Sequence, residues 1–147
     1  DDVRKQGKSG VCMLGAQKQK AWLSDQEFAK KFGFVPVDTT ADGYELLALS
    51  FDGTEPYFLP NAKLQTIEEQ ELTIYFSRQC PYTEQALKTV RQHCEQNAVP
   101  FHLIEVDALE KAKALPCVFN NWAVFYKGQF QTVNLLDLAT LKRILKK

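Results

Sequence analysis

One short run in this 147-residue chain has the residue types for covalent chemistry, Cys80-Pro81-Tyr82-Thr83. A thiol acts as a nucleophile only as its thiolate, and a free Cys with a pKa near ~8.5 supplies little of that form at neutral pH. The run follows an apolar stretch and opens a helical pattern. Unpaired backbone N–H groups and the positive end of the helix dipole would therefore stabilise a Cys80 anion. Pro81 suits the first helical position, because its missing N–H would have been unpaired anyway. Thr83 stands where the second cysteine of a CxxC pair would stand. Its hydroxyl can donate to a thiolate but cannot close a disulfide, so a redox cycle needs another resolving thiol.

The remaining thiols are Cys12, Cys94 and Cys117. Cys94 lies along the same helical pattern as Cys80, a rise of roughly 21 Å away, beyond disulfide reach. Cys117 follows Pro116 in a loop and is the better internal resolver. Buried Cys is more often a small hydrophobe. Cys12 and Cys94 are read that way, and packing outweighs chemistry for Cys117 too. The cysteines are too dispersed for a secreted disulfide framework. No CxxC pair and no clustered His completes a zinc site, so no metal is expected. His93 and His102 read as a solvated helix residue and a strand-face residue. Free thiols suit a reducing, cytoplasmic home.

Eighteen basic side chains balance eighteen acidic ones, with seven against nine up to Pro60 and eleven against nine after it. Neither half has the charge to attract a polyanion, so no nucleic-acid partner is expected. No apolar run approaches the ~20 residues a membrane helix needs, so no membrane partner is expected either.

The elements that must position the cysteines fall into two groups. The opening Asp1-Asp2-Val3-Arg4-Lys5-Gln6-Gly7 reads as the tail of a helix ending on a C′ glycine, which implies further sequence upstream. Val11–Leu14 reads as a buried strand. Residues 17–32 read as a helix whose packed face carries Trp22, Gln26, Ala29 and Phe32, with Leu23 and Phe28 alongside and Gly33 closing it. Residues 35–43 carry turn chemistry, and Tyr44–Phe51 is a strand. The first part is thus β-α-β. After a Pro- and Gly-containing stretch, Leu72–Ser77 is a strand and Pro81–Asn97 a helix burying Ala86, Leu87, Val90 and Cys94. Phe101–Val106 is a strand, and Asp107 caps a short helix over 108–114. Trp122–Tyr126 and Gln129–Val133 form a hairpin across Lys127-Gly128. Leu135, Leu138, Leu141 and Leu145 mark a last helix. This second order, β-α-β-α-β-β-α, is that of the thioredoxin core.

Several stretches carry a more specific likeness: Val11-Cys-Met-Leu-Gly15, Gln19-Lys-Ala-Trp-Leu-Ser-Asp25, Phe28-Ala-Lys-Lys-Phe-Gly-Phe34 and Tyr44-Glu-Leu-Leu-Ala-Leu-Ser-Phe51. Cys80-Pro-Tyr82 and Leu115-Pro-Cys-Val-Phe-Asn-Asn-Trp-Ala-Val-Phe-Tyr126 extend it. On these the chain resembles YoaP-like proteins, which join an N-acetyltransferase domain of the GNAT superfamily to a thioredoxin-like YoaP domain. The resemblance implies an α/β chain in which residues 1–55 are the C-terminal part of a GNAT domain, 56–70 a linker and 71–147 the thioredoxin-like domain.

It also implies that Val11, Cys12, Met13 and Leu14 form the strand beside which acetyl-CoA lies. Lys18, Lys20, Lys30 and Lys31 could meet CoA phosphates, although a charged helix usually just has a solvated face. GNAT enzymes hold the CoA pyrophosphate on a Gln/Arg-x-x-Gly-x-Gly/Ala turn, and no glycine here makes one. Acetyl-CoA is therefore expected on the full-length protein and not on this stretch. Such enzymes often place a Tyr general acid four residues before the Gly-Phe; here that residue is Ala29. The acetyl acceptor is not legible. The apolar faces of the first part are expected to be covered by the thioredoxin-like domain, the missing half of the fold or a second copy. Two other functions stay open for the second part. One is monothiol redox chemistry with Cys80 as nucleophile, aided by Thr83 and Cys117, and the other is a non-catalytic module that binds a partner or the acceptor.

Overall fold

A computed structural model describes residues 1–18, 20 and 22–147. The fold is mixed α/β with two sheets. The chain divides into two compact units, Asp1–Leu59 and Pro60–Lys147.

The first unit contains α1 (Asp2–Lys5), β1 (Gly10–Ala16), α2 (Gln26–Lys30), β2 (Val35–Thr39) and β3 (Tyr44–Ser50). Gly7, at φ +69°, follows the α1 C-cap as the expected left-handed glycine. The strands pair antiparallel in the order β1-β3-β2. Central β3 buries Tyr44, Leu46, Leu47 and Ala48.

Three expectations for this unit are corrected. The helix expected over 17–32 contracts to Gln26–Lys30, with Gln19 and Ala21 outside the described residues. The Asp25 carboxylate accepts from the Glu27 N–H at 3.0 Å, a cap that sets the helix start late. Little more than one turn cannot bury a wide face. Of the expected face, Gln26 and Ala29 do go inside, whereas Trp22, Phe28 and Phe32 stay 49%, 67% and 62% exposed. Residues 35–39 form a strand, not a turn, and the reversal is confined to the residues before Tyr44. Pro36 is tolerated because β2 is an edge strand and its register shifts between Pro36 and Asp38. Finally, β1 is an edge strand as well, so Val11 and Cys12 are exposed instead of buried.

The second unit opens with a 3₁₀ turn at Pro60–Lys63, followed by β4 (Leu72–Phe76), α3 (Thr83–Gln96) and β5 (Phe101–Glu105). Then come α4 (Leu109–Ala114), β6 (Trp122–Tyr126), β7 (Gln129–Thr132) and α5 (Leu138–Leu145). Sheet order is β5-β4-β6-β7, with β4 and β5 parallel and the other pairs antiparallel. Leu72, Ile74 and Phe76 pack with Leu87, Val90 and Cys94 of α3 and with Leu141 and Ile144 of α5. Thr73 and Tyr75 alternate to the other face, where Tyr75 meets Phe125 edge-on at 5.7 Å.

Local chemistry explains most of these boundaries. Asp137 caps α5 by accepting from the Thr140 N–H at 2.7 Å. Lys127 and Gly128 both take positive φ, 51° and 72°, as a two-residue type I′ hairpin turn requires. Asp107 does not cap α4, whose N-cap is Ala108; its carboxylate pairs instead with Lys111, one turn on, at 2.6 Å. Leu138 lies on the outer side of α5 and is 44% exposed. Among the described residues no helix is long and apolar enough to cross a membrane.

Candidate functional site

Cys80 sits in the loop between β4 and α3 and is half-buried. The regular helix starts at Thr83, so Pro81 belongs to the preceding turn and not to the first helical position. That turn is closed by the Thr83 N–H donating to the Cys80 carbonyl at 3.1 Å. Chain geometry thus holds the thiol at the head of α3. Tyr82 beside it is 72% exposed.

The Thr83 hydroxyl does not donate to the Cys80 sulfur. Thr83 is 2% exposed, and its Oγ1 has no hydrogen-bond partner. Two neighbours share that condition, Ser77 Oγ just after β4 and Trp122 Nε1 at the start of β6. Trp122 lies opposite Phe76, and the Ser77 N–H donates to the Asn121 carbonyl at 3.0 Å. These three unpaired buried polar atoms belong to residues at one end of the sheet and at the start of α3, the two elements that flank the Cys80 loop. An unpaired buried hydroxyl or N–H carries a desolvation cost that a ligand or an ordered water would offset. Ser77 was not legible as a site residue, because a strand-end Ser usually means packing, and Trp122 offers an aromatic surface for a partner that at strand spacing is more often core. Their signal is tertiary. A cleft of about 460 Å³ adjoins this corner, lined by Ser77, Arg78, Glu105, Asp107 and Asn120 among others. Arg78 spans its rim, donating to Glu105 at 2.8 Å.

Cys117 is 5% exposed, and its thiol donates to the Phe119 carbonyl at 3.2 Å. It is close enough to Tyr75 for its charge to raise that phenol's pKa, second to the larger effect of burial. Tyr75 belongs to the sheet face away from α3, so Cys117 is associated with that side. All four cysteines are free. Cys94 is fully buried among the α3 core residues, and burial, helped by Glu95, pushes its thiol pKa up.

In the first unit, Val11 to Leu14 pair with Leu49 to Leu46 of β3. Their other edge belongs to the margin of the sheet. A small cleft of about 270 Å³ runs along this edge between Lys8, Gly10, Val11, Cys12, Thr54 and Pro56. Of the lysines read as CoA contacts, Lys30 is engaged with Glu27 at 2.7 Å, and that bond first of all raises its pKa. Lys20 lies over the Tyr44 ring at 5.4 Å.

Known proteins match this sequence in part. Residues 100–146, covering β5 to α5, match the family model described as YoaP-like. The chain is 28% identical over 146 residues to the protein "Uncharacterized N-acetyltransferase YoaP" of Bacillus subtilis (strain 168). That alignment covers 98% of this chain and 58% of the relative. No solved structure matches the chain. By both measures this chain is similar to YoaP-like proteins, along nearly its whole length and most specifically in its last third.

Proposed function

We propose that the chain is part of a GNAT-type N-acetyltransferase, which moves an acetyl group from acetyl-CoA to an amine and carries a thioredoxin-like domain. The observation that carries this reading is the alignment with an N-acetyltransferase along 98% of the chain. Two structural features support it. The edge strand β1 has an open side along which a CoA arm or a further strand can lie. The order β5-β4-β6-β7, with β6 antiparallel to its neighbours, is compatible with a thioredoxin-like sheet. Acetyl-CoA would lie along Val11 to Leu14, while its pyrophosphate would be held by a glycine turn outside these residues. The acceptor is an amine of unassigned identity, and free thiols suit a cytoplasmic setting.

Calorimetry with acetyl-CoA tests this reading on residues 1–147 and on a longer protein that includes the pyrophosphate turn. The longer protein is expected to bind and this stretch is not. A longer protein that neither binds acetyl-CoA nor releases CoA to any amine overturns the proposal.

A second reading rests on the Cys80 corner. As a monothiol, the Cys80 thiolate attacks a disulfide R–S–S–R′, forming Cys80–S–S–R and releasing R′–S⁻. Because Thr83 cannot resolve the mixed disulfide, a low-molecular-weight thiol R″–SH does so: it loses its proton to solvent, its thiolate forms R–S–S–R″, and the Cys80 thiolate is released. Failure of Cys80→Ser to slow the reduction of a model disulfide rules this reading out.

A further inference from the structure

Glu69 and Glu71 lie in the irregular segment that leads into β4, whose second residue is Thr73. Parallel pairing of β4 with β5 sets Thr73 directly beside His102. The imidazole thereby arrives next to two carboxylates about thirty residues away in sequence. His102 Nε2 lies 2.7 Å from Glu71 Oε2 and 3.5 Å from Glu69 Oε2. One donor atom from each of the three residues falls within 4.8 Å of the other two.

The backbone fixes this convergence. The Glu71 N–H donates to the other Glu69 oxygen, Oε1, at 3.1 Å, which leaves Oε2 turned toward His102. The Lys127 N–H holds the Gln70 carbonyl at 2.9 Å, and the Ile67 N–H holds the Gly128 carbonyl at 2.9 Å. The segment bearing both glutamates is thus tied to the β6–β7 hairpin. A simple His–Glu ion pair would need only one carboxylate, and here two are aimed at the same ring nitrogen.

The geometry points to a divalent transition-metal site formed by Glu69, Glu71 and His102. Two ligands bonded at about 2.0–2.2 Å to one ion sit roughly 3.4 Å apart. Small side-chain rotations bring the three donors to that spacing. Two carboxylates neutralise the dication. The imidazole nitrogen selects zinc, cobalt or nickel over magnesium and calcium, which prefer all-oxygen sites. On binding, the ion takes the Nε2 lone pair, and any proton on that nitrogen leaves to solvent or moves to Nδ1. Three protein ligands leave coordination positions for water or substrate. An open groove of about 660 Å³ adjoins them, lined by Glu69, Thr73, His102, Ile104 and Pro116 among others. The site is independent of the acetyltransferase reading and lies apart from Cys80.

Titration of the whole chain with zinc chloride by calorimetry tests it, in a Cys12→Ser/Cys80→Ser background that removes the accessible thiols. One saturable equivalent in the micromolar range is expected, weakened about tenfold or more by His102→Ala and by Glu71→Gln. Cobalt at the same site should give visible bands without thiolate charge transfer, and zinc should shift the His102 ring resonances while leaving those of His93 in place. His102 is exposed and Glu71 half-buried at the sheet margin, so the variants should fold, which circular dichroism verifies. Absence of saturable uptake overturns the site, and so does uptake that His102→Ala leaves unchanged.

Discussion

Gln26 donates from Nε2 to the Glu45 carboxylate at 2.8 Å, joining the start of α2 to β3 inside the first unit. Gln26 is 7% exposed, and its Oε1 has no partner. The amide cannot turn round, because that would set its oxygen against the carboxylate. Replacement by Glu brings a second negative charge to a buried position, so Gln26→Glu should lose about 1–3 kcal/mol at pH 7. Gln26→Leu, which removes the orphan acceptor, should cost less. Urea unfolding of the two variants gives the ordering, and equal losses would remove the electrostatic explanation.

A substitution at Gly128 tests the hairpin. A Cβ there would come within 2.9 Å of the Ile67 carbonyl, a backbone atom that cannot simply swing away, and the position has φ +72°. Gly128→Ala should lower stability by about 1–3 kcal/mol and loosen the 67–71 segment. Chemical denaturation measures the first effect, and faster amide exchange at Ile67 and Lys127 reports the second.

Thiol accessibility gives a direct count. Cys94 is fully buried and Cys117 is 5% exposed, whereas Cys12 is exposed and Cys80 half-buried. An aromatic disulfide reagent should titrate two thiols in the native protein and all four in denaturant. Cys80→Ser should remove one of the native pair. Four fast thiols in the native state would contradict the burial of Cys94 and Cys117.

The α5 cap carries a pH signature. The Asp137 pKa is lowered, first by the Thr140 N–H and then by that residue's hydroxyl. A carboxyl with a depressed folded-state pKa contributes fully above its ordinary unfolded value, and the contribution fades as pH falls through the folded-state value. Asp137→Ala should therefore melt a few degrees below wild type at pH 7, with the gap closing in strong acid. A gap that does not change with pH would assign the effect to packing instead.

Leu87 is fully buried between α3 and the sheet. Leu87→Ala should destabilise the second unit by about 2–5 kcal/mol through lost burial and the cavity left behind. Denaturant unfolding gives the value.

The sequence by itself determined the elements whose signals are local. The β4–α3–β5 succession, the core face of Ala86, Leu87, Val90 and Cys94, the Lys127-Gly128 turn and the Gly7 stop follow from side-chain periodicity and backbone preference within a few residues. Cys80 was legible at the head of a helix for the same reason, although the turn before α3 displaced Pro81 from the helix itself. Tertiary structure decided what depends on neighbours far along the chain. Val11 to Leu14 look like a buried strand until the order β1-β3-β2 leaves β1 at the margin, and Val35–Thr39 looks like turn chemistry until β3 offers an edge that tolerates Pro36. Glu69, Glu71 and His102 are unremarkable one by one. They converge because a parallel pairing register sets Thr73 against His102, and register is settled by burying Leu72, Ile74 and Phe76 on the opposite face.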